Sequence, residues 1–372
     1  MKESQKITDE RFMREALRQA RKGLGLTSPN PAVGAVIVKD GVKISAGYHK
    51  KAGFPHAEIE ALKKLGGNAH GCTIYVTLEP CNHYGRTPPC TEAILASGIT
   101  RVVVGAKDPN PGVPGRGSQF LKEHGIEVTL GVLEEECRTL NEAFNKYITA
   151  RRPFLIAKSA ITLDGWTGTS TGQSRWITNE KSRQFVHRLR AQADAVLVGV
   201  GTVLADNPRL TVRLRHSTKK QPMRIIVDTH LRTPLDARVL DRISNSQTLI
   251  AIGPDVSREV LERHEKSGST VVVCPVDQGR IDLTALMDIL AAREITSILV
   301  EGGSSIIGSV LRKALVDKYY IFMAPKILGG GNGIPMAAGI GPKSMDGCIG
   351  LRDMQVRRFD DDIMIVGYPY YG

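Results

Sequence analysis

His56-Ala57-Glu58 is the stretch on which the reading turns, answered downstream by Pro80-Cys81 and by Cys90. One imidazole and two thiolates make a three-ligand zinc set. Such a set leaves the fourth position open to water, as catalytic rather than structural zinc sites do. Bound zinc lowers the pKa of that water to about 7, so hydroxide is available near neutral pH. Glu58 stands two residues past the histidine, where it can relay protons. Taken singly, each residue has an ordinary explanation. A histidine at a helix start is more often a cap, a first-turn glutamate favours the helix dipole, and buried thiols are common. Together, in this order and with Pro80 in front, the four specify a metal centre with a carboxylate beside it.

The chain has 372 residues, more than one hydrophobic core usually serves, so two domains are expected. No run of eighteen apolar residues occurs, which argues against a membrane span. Met1-Lys2-Glu3-Ser4-Gln5-Lys6 lacks the apolar core of a secretory signal, so a cytoplasmic location is expected. Six cysteines in a chain this long do not make a disulfide scaffold, and cysteine near histidine reads as metal binding. Cys72, Cys137, Cys274 and Cys348 have no such company and read as ordinary thiols. A net charge of +12 suits an anionic ligand. Aromatic residues make up only 5% and no basic run is interleaved with them, so phosphorylated metabolites are favoured over nucleic acid.

Along the first half, Thr8 or Asp9 can cap a helix carrying Phe12, Met13, Ala16, Leu17 and Ala20. Ser28-Pro29-Asn30-Pro31 is a rigid loop, and residues 33–38 read as a buried strand. Lys39-Asp40-Gly41 turns that strand back into residues 42–48. A helix begins near His56, so His56 and Glu58 occupy its first turn. Residues 73–78 form the strand that delivers Glu79-Pro80-Cys81, and Cys90 opens another helix. A strand over 101–106, a helix over 117–124, a strand over 127–132 and a single helix over 134–148 follow. This alternation predicts an α/β fold with helices on a mixed sheet. Helix N-termini at both ligand-bearing segments favour thiolate.

H-x-E followed by P-C-x-x-C marks zinc deaminases that act on bases. Here eight residues, not two, separate Cys81 from Cys90. Ser28-Pro-Asn-Pro-Ala-Val-Gly34, His56-Ala-Glu58 and Pro80-Cys-Asn-His-Tyr-Gly-Arg-Thr-Pro-Pro-Cys90 together resemble the deaminase half of the bifunctional deaminase–reductase family of riboflavin biosynthesis. The resemblance implies a cytidine-deaminase-like domain over residues 1–150, with Zn2+ on His56, Cys81 and Cys90 and with Glu58 as the catalytic proton shuttle. It further implies that Asn30, His83 and Arg86 contact the pyrimidine.

Arg151-Arg152-Pro153 marks the boundary to the second half. Residues 154–161 form an apolar strand containing Lys158, and Thr178 or Asn179 caps a helix with Phe185, Leu189 and Arg190. Further strands are expected over 195–200, 224–227, 248–252, 270–273 and 298–300. Helices are expected over 257–266 and 283–293, and the tail is expected to form an antiparallel edge. Strand, Glu301-Gly302-Gly303, helix is a phosphate-cradle pattern, because glycines let backbone N–H groups approach an anion at a helix start. No G-x-G-x-x-G with a following acid occurs. Gly199-Val-Gly201 is not one, since Asp206-Asn207-Pro208 stops the helix.

Leu163-Asp-Gly165, Thr171-Gly and Trp176-Ile-Thr178, Val198-Gly-Val-Gly-Thr202 with Asp206-Asn-Pro208, and Glu301-Gly-Gly303 are similar to the reductase half of the same family. That likeness implies a dihydrofolate-reductase-like, NADPH-dependent domain over residues 151–372. By it Ala160, Trp176, Thr202, Asp206, Thr229 and the run Gly303, Ser304, Ser305, Ile306, Ile307, Gly308, Ser309 contact NADPH. Ser174, Arg190, Leu210, Arg213 and Glu301 contact the substrate. Arginines 190 and 213 suit a phosphate physically, since guanidinium offers paired donors. The implied partner is a small phosphorylated pyrimidine, with neither nucleic acid nor membrane, and a homo-oligomer is expected. Two other readings compete. A nucleic-acid base deaminase rests on the basic charge alone, and a structural zinc scaffold would leave Glu58 without a task.

Overall fold

The computed structural model describes residues 2–84, 88–112, 117–214, 220–241 and 246–372. The chain divides into two compact units, Met1–Arg151 and Arg152–Gly372. In the first, helix α1 (Lys2–Ala20) precedes β1 (Gly34–Lys39), β2 (Val42–Tyr48), α2 (Ala57–Lys63), β3 (Thr73–Leu78), α3 (Cys90–Ala96) and β4 (Arg101–Ala106). Then come α4 (Gly117–Glu123), β5 (Glu127–Leu130), α5 (Glu134–Leu140) and α6 (Glu142–Ala150). The strands lie in the order β2-β1-β3-β4-β5. β1 is antiparallel to β2 and β3, whereas β3, β4 and β5 are parallel, so the sheet is mixed as expected.

The pleat sorts the apolar runs onto two faces. Ala35, Ile37, Ile74, Val76, Val102 and Val104 pack with Ala57, Ala61, Ile94 and Leu121 of α2, α3 and α4. Val36, Val38, Tyr75 and Val103 pack on the other side with Phe12, Met13, Ala16 and Leu17 of α1. Burying each Ile, Leu or Val side chain contributes about 1.5–3 kcal/mol. Gly47 of β2 lets the first turn of α2 lie against the sheet, for a Cβ there would meet the Ala57 carbonyl oxygen at 2.3 Å. That close approach seats His56 and Glu58.

Two expectations are corrected. Helix α1 begins at Lys2, so neither Thr8 nor Asp9 caps it. Asp9 is a buried mid-helix residue that receives Arg101 through two 2.8 Å hydrogen bonds and the Tyr75 hydroxyl at 2.8 Å. A helix-to-strand ion pair therefore overrides the capping preference. The single helix expected over 134–148 breaks at Asn141. The Asn141 side chain accepts from the Ala32 N–H at 2.8 Å and donates to the Ala32 carbonyl at 3.0 Å, pinning the loop that carries Asn30.

The second unit contains β6 (Phe154–Ile161), β7 (Trp166–Gly168), α7 (Glu180–Gln192), β8 (Ala195–Gly199), α8 (Val200–Asp206), β9 (Met223–Val227), β10 (Thr248–Ile252), α9 (Arg258–Lys266) and β11 (Thr270–Val273). It continues with β12 (Val276–Asp277), β13 (Arg280–Ile281), α10 (Leu283–Ala292), β14 (Ser297–Val300), α11 (Ser304–Arg312), β15 (Lys318–Met323), β16 (Ile334–Pro335), β17 (Gly350–Phe359) and β18 (Asp362–Tyr370). The large sheet runs β11-β10-β9-β8-β14-β6-β15-β18-β17. From β11 to β15 the strands are parallel, and the β18–β17 hairpin supplies the expected antiparallel edge. Leu197, Ile225, Ile298 and Val300 face α10 and α11, while Val196, Val198, Ile226 and Leu299 face α7 and α8. Both faces are covered, which is why these strands read as unbroken apolar runs. Asn179 caps α7, accepting from the Ser182 N–H, and the stop at Asp206-Asn207-Pro208 ends a helix of seven residues.

Candidate active sites

In the first unit the metal ligands come from three places that the fold brings together. His56 is the N-cap of α2, Cys81 lies just past the end of β3, and Cys90 opens α3. The His56, Cys81 and Cys90 ligand atoms all lie within 4.8 Å of one another. His56 Nδ1 is 3.2 Å from Cys90 Sγ and 3.5 Å from Cys81 Sγ. Tetrahedral zinc with ordinary Zn–N and Zn–S bonds sets N···S at roughly 3.5 Å, so the donor set fits the metal. The Cys90 N–H donates to Cys81 Sγ at 3.3 Å. Hydrogen bonding from the Cys90 thiol, helped by His56, draws the Cys81 pKa down to about 4, while the same pairing and burial push Cys90 up.

Glu58 is 3% exposed, and its Oε2 has no hydrogen-bond partner among the described residues. Burial raises its pKa, partly offset by the charge of His56. A buried carboxylate oxygen without a partner, two residues from a metal ligand, is the atom a water or substrate proton would satisfy.

Sequence reasoning missed the groups that brace this centre. Glu79 accepts from the Ser118 N–H at 2.9 Å and from the Asp108 N–H at 3.4 Å, tying the residue before Pro80-Cys81 to α4 and to the loop after β4. Burial raises the Asp108 pKa, with Glu79, His83 and Cys81 as its charged neighbours. His83 is exposed, and Arg86 lies outside the described residues. Asn30 donates from Nδ2 to His49 Nε2 at 3.3 Å, and the His49 and His56 rings meet edge-on with centroids 5.4 Å apart. No spacing rule flags His49, because its partners come from distant loops.

In the second unit the expected cofactor residues gather at the carboxyl ends of parallel strands. Ala160 is on β6, Thr202 is on α8 after β8, Thr229 follows β9, and Gly303 follows β14. Ligands of open parallel sheets bind along this edge. The Gly303 N–H is not free for an anion, since it donates to Thr202 Oγ1 at 3.0 Å. Ile306 and Ile307 are core residues beneath α11, so Ser304, Ser305 and Ser309 are the polar members of that run. Ser304 Oγ is buried without a partner among the described residues. Trp176 is 62% exposed with the Arg183 guanidinium 4.4 Å from its ring centre. Asp206 and Arg175 are paired, with 3.6 Å between carboxylate and guanidinium.

Arg190 of α7 binds Glu301, from Nε to Oε1 at 2.5 Å and from Nη2 to Oε2 at 3.0 Å, and its Nη1 donates to the Thr211 carbonyl at 3.0 Å. Lys158 Nζ stands 4.0 Å from Glu301 Oε2. Burial lowers the Lys158 pKa, and the charges of Arg190 and Lys158 overcome burial to lower that of Glu301. The Arg213 N–H donates to His187 Nδ1 at 3.3 Å. Burial, then the charges of Arg190, Arg209 and Arg238, lower the Arg213 pKa, so these cations crowd one another. Leu210 is buried, with its backbone in the left-handed region at φ 53°. Ser174 is half-buried in the segment before α7.

Both units have counterparts among known proteins. Residues 6–106 match the cytidine and deoxycytidylate deaminase zinc-binding region, and residues 153–365 match the RibD C-terminal domain. The riboflavin biosynthesis protein RibD of Aquifex aeolicus is 45% identical over 96% of this chain and 97% of that protein. RibD of Escherichia coli is 42% identical over 87% of this chain and 89% of that protein. A crystal structure from Thermotoga maritima, described as a diaminohydroxyphosphoribosylaminopyrimidine deaminase/5-amino-6-(5-phosphoribosylamino)uracil reductase, is 38% identical. It matches with a TM-score of 0.85 and covers 98% of this chain and 100% of that one. The chain therefore belongs to the RibD family of bifunctional deaminase–reductases of riboflavin biosynthesis.

Proposed function

We propose that the chain deaminates 2,5-diamino-6-(5-phosphoribosylamino)pyrimidin-4(3H)-one and then reduces the ribosyl group of 5-amino-6-(5-phosphoribosylamino)uracil to the ribityl phosphate. The observation that carries the first step is the convergence of His56, Cys81 and Cys90 near Glu58, whose buried Oε2 has no partner among the described residues. His56, Cys81 and Cys90 would hold the zinc, which would supply a water ionised near neutral pH as the nucleophile. Glu58 takes the proton of the attacking water and delivers it to the departing amine, which leaves as ammonia. His83 and Asn30 are read as pyrimidine contacts.

In the second step the carboxyl edge of the parallel strands, with Thr202, Ser304 and Ser305, would hold NADPH, which would supply the hydride for C1 of the ribose unit. Arg190 and Arg213 are read as the phosphate anchor, and the crowding of cations around Arg213 supports this. Lys158, buried against Glu301, is a better proton donor to the opening ribose oxygen than Asp206, whose carboxylate is occupied by Arg175. A small phosphorylated pyrimidine is preferred to nucleic acid because aromatic residues are sparse. No helix among the described residues is long and apolar enough to cross a membrane. A cytoplasmic homo-oligomer completes the reading.

The test is incubation with the pyrimidine phosphate, following ammonia and NADPH absorbance. Ammonia release without NADPH, followed by oxidation of added NADPH, is the expected order. Oxidation of NADPH before any ammonia appears would reverse the proposed sequence.

A further inference from the structure

His49 follows β2 and is 2% exposed. Its Nδ1 lies 3.1 Å from the Pro55 carbonyl oxygen and its Nε2 3.3 Å from Asn30 Nδ2. A carbonyl can only accept, so Nδ1 must carry the hydrogen. The Asn30 Nδ2 that faces Nε2 can only donate, so Nε2 accepts and the ring carries a single hydrogen. In a neutral imidazole with Nδ1 protonated, Nε2 has only a lone pair to offer. Asn30 must then turn its NH2 group toward His49, which leaves Oδ1 as the free end of the amide. The seat is rigid. The His49 N–H donates to the Val33 carbonyl at 2.9 Å, and a Cβ at Gly23 would lie 2.7 Å from the His49 carbonyl oxygen.

We propose that His49 is a positioning residue of the deaminase step, which through its tautomer presents the Asn30 carbonyl oxygen to the substrate as a hydrogen-bond acceptor. The pocket thereby selects an N–H edge of the pyrimidine and rejects a ring that turns a lone pair to the same place. The inference rests on the reading of Asn30 as a substrate contact. It sets Asn30's direction through a chain of obligate donors and acceptors running from the Pro55 carbonyl.

The test uses the zinc-loaded full chain and ammonia release from the pyrimidine phosphate. Asn30→Ala is expected to lower kcat/KM about tenfold, mainly through KM, the scale of one buried hydrogen bond. His49→Asn keeps a donor for Pro55 but loses the acceptor for Asn30, and the same loss is expected. His49→Gln restores an acceptor near the Nε2 position and is expected to recover most of it. The double variant Asn30→Ala/His49→Asn should lose no more than either single one. No effect of Asn30→Ala would overturn the reading of Asn30 and this inference with it. A loss at Asn30→Ala with none at His49→Asn, or additive losses, would overturn only the positioning role. Nitrogen-15 spectra of the unaltered protein give a readout independent of folding: His49 should carry its proton on Nδ1, and a proton on Nε2 would overturn the proposal.

Discussion

Arg190 and Glu301 close a two-point ion pair between α7 and the end of β14, with hydrogen bonds of 2.5 and 3.0 Å. Both side chains are mostly buried, at 12% and 7% exposure. Removing one member leaves the other charge stranded, which typically costs about 3–5 kcal/mol. Arg190→Ala should therefore lower the stability of the second unit on that scale and abolish NADPH oxidation. Arg190→Lys should not rescue it, because an ammonium cannot make both bonds. Denaturation curves and NADPH turnover check this, and full activity in the lysine variant would refute it.

The same pair sets an acid limit. Burial acts to raise the Glu301 pKa, but Arg190 and Lys158 outweigh it and the net shift is downward. A carboxylate depressed on folding contributes stability that is present above its unfolded pKa, about 4.3, and is lost as pH falls through the folded value. Stability of the second unit should fall below about pH 4.3. Glu301→Gln should flatten that part of the profile, as thermal melts across pH would reveal.

Glu58→Gln keeps the shape of the buried side chain and removes its basicity. Zinc content should be unchanged, and ammonia release should fall by about 10²–10⁴-fold, the usual share of a positioned acid–base group. NADPH oxidation with the deaminated substrate should stay normal. A variant that still releases ammonia at the original rate would leave Glu58 with no part in the reaction.

Lys158 and Asp206 can be separated by the same assay. Lys158→Met should slow NADPH oxidation by about 10² or more, without raising KM for NADPH. Asp206→Ala should change turnover far less, because its carboxylate is engaged with Arg175 at 3.6 Å. Equal losses in the two variants would remove the preference for Lys158.

Gly47 offers a test remote from the chemistry. A methyl there would meet the Ala57 carbonyl at 2.3 Å and the Ala61 N–H nitrogen at 2.5 Å. Gly47→Ala should cost about 1–3 kcal/mol, as overpacking does, and should weaken zinc binding by displacing α2. Metal content after dialysis reports the second effect.

The residues of the proposed zinc centre were legible along the chain. His56, Glu58, Cys81 and Cys90 are read from local signals, since helix starts and strand ends are set by neighbours a few residues away. The apolar runs likewise announced the buried strands of both sheets. Only the tertiary structure decided which groups support those residues. Asn141 breaks a periodic helix to hold Ala32, Thr202 takes the Gly303 N–H from the cradle, and His49 turns Asn30. Asp9 joins Arg101 across 92 positions of sequence instead of capping α1. Such pairings join polar groups far apart in the chain. Spacing rules describe neighbours along a helix or strand, whereas satisfaction of a buried polar atom depends on whichever partner the fold brings beside it.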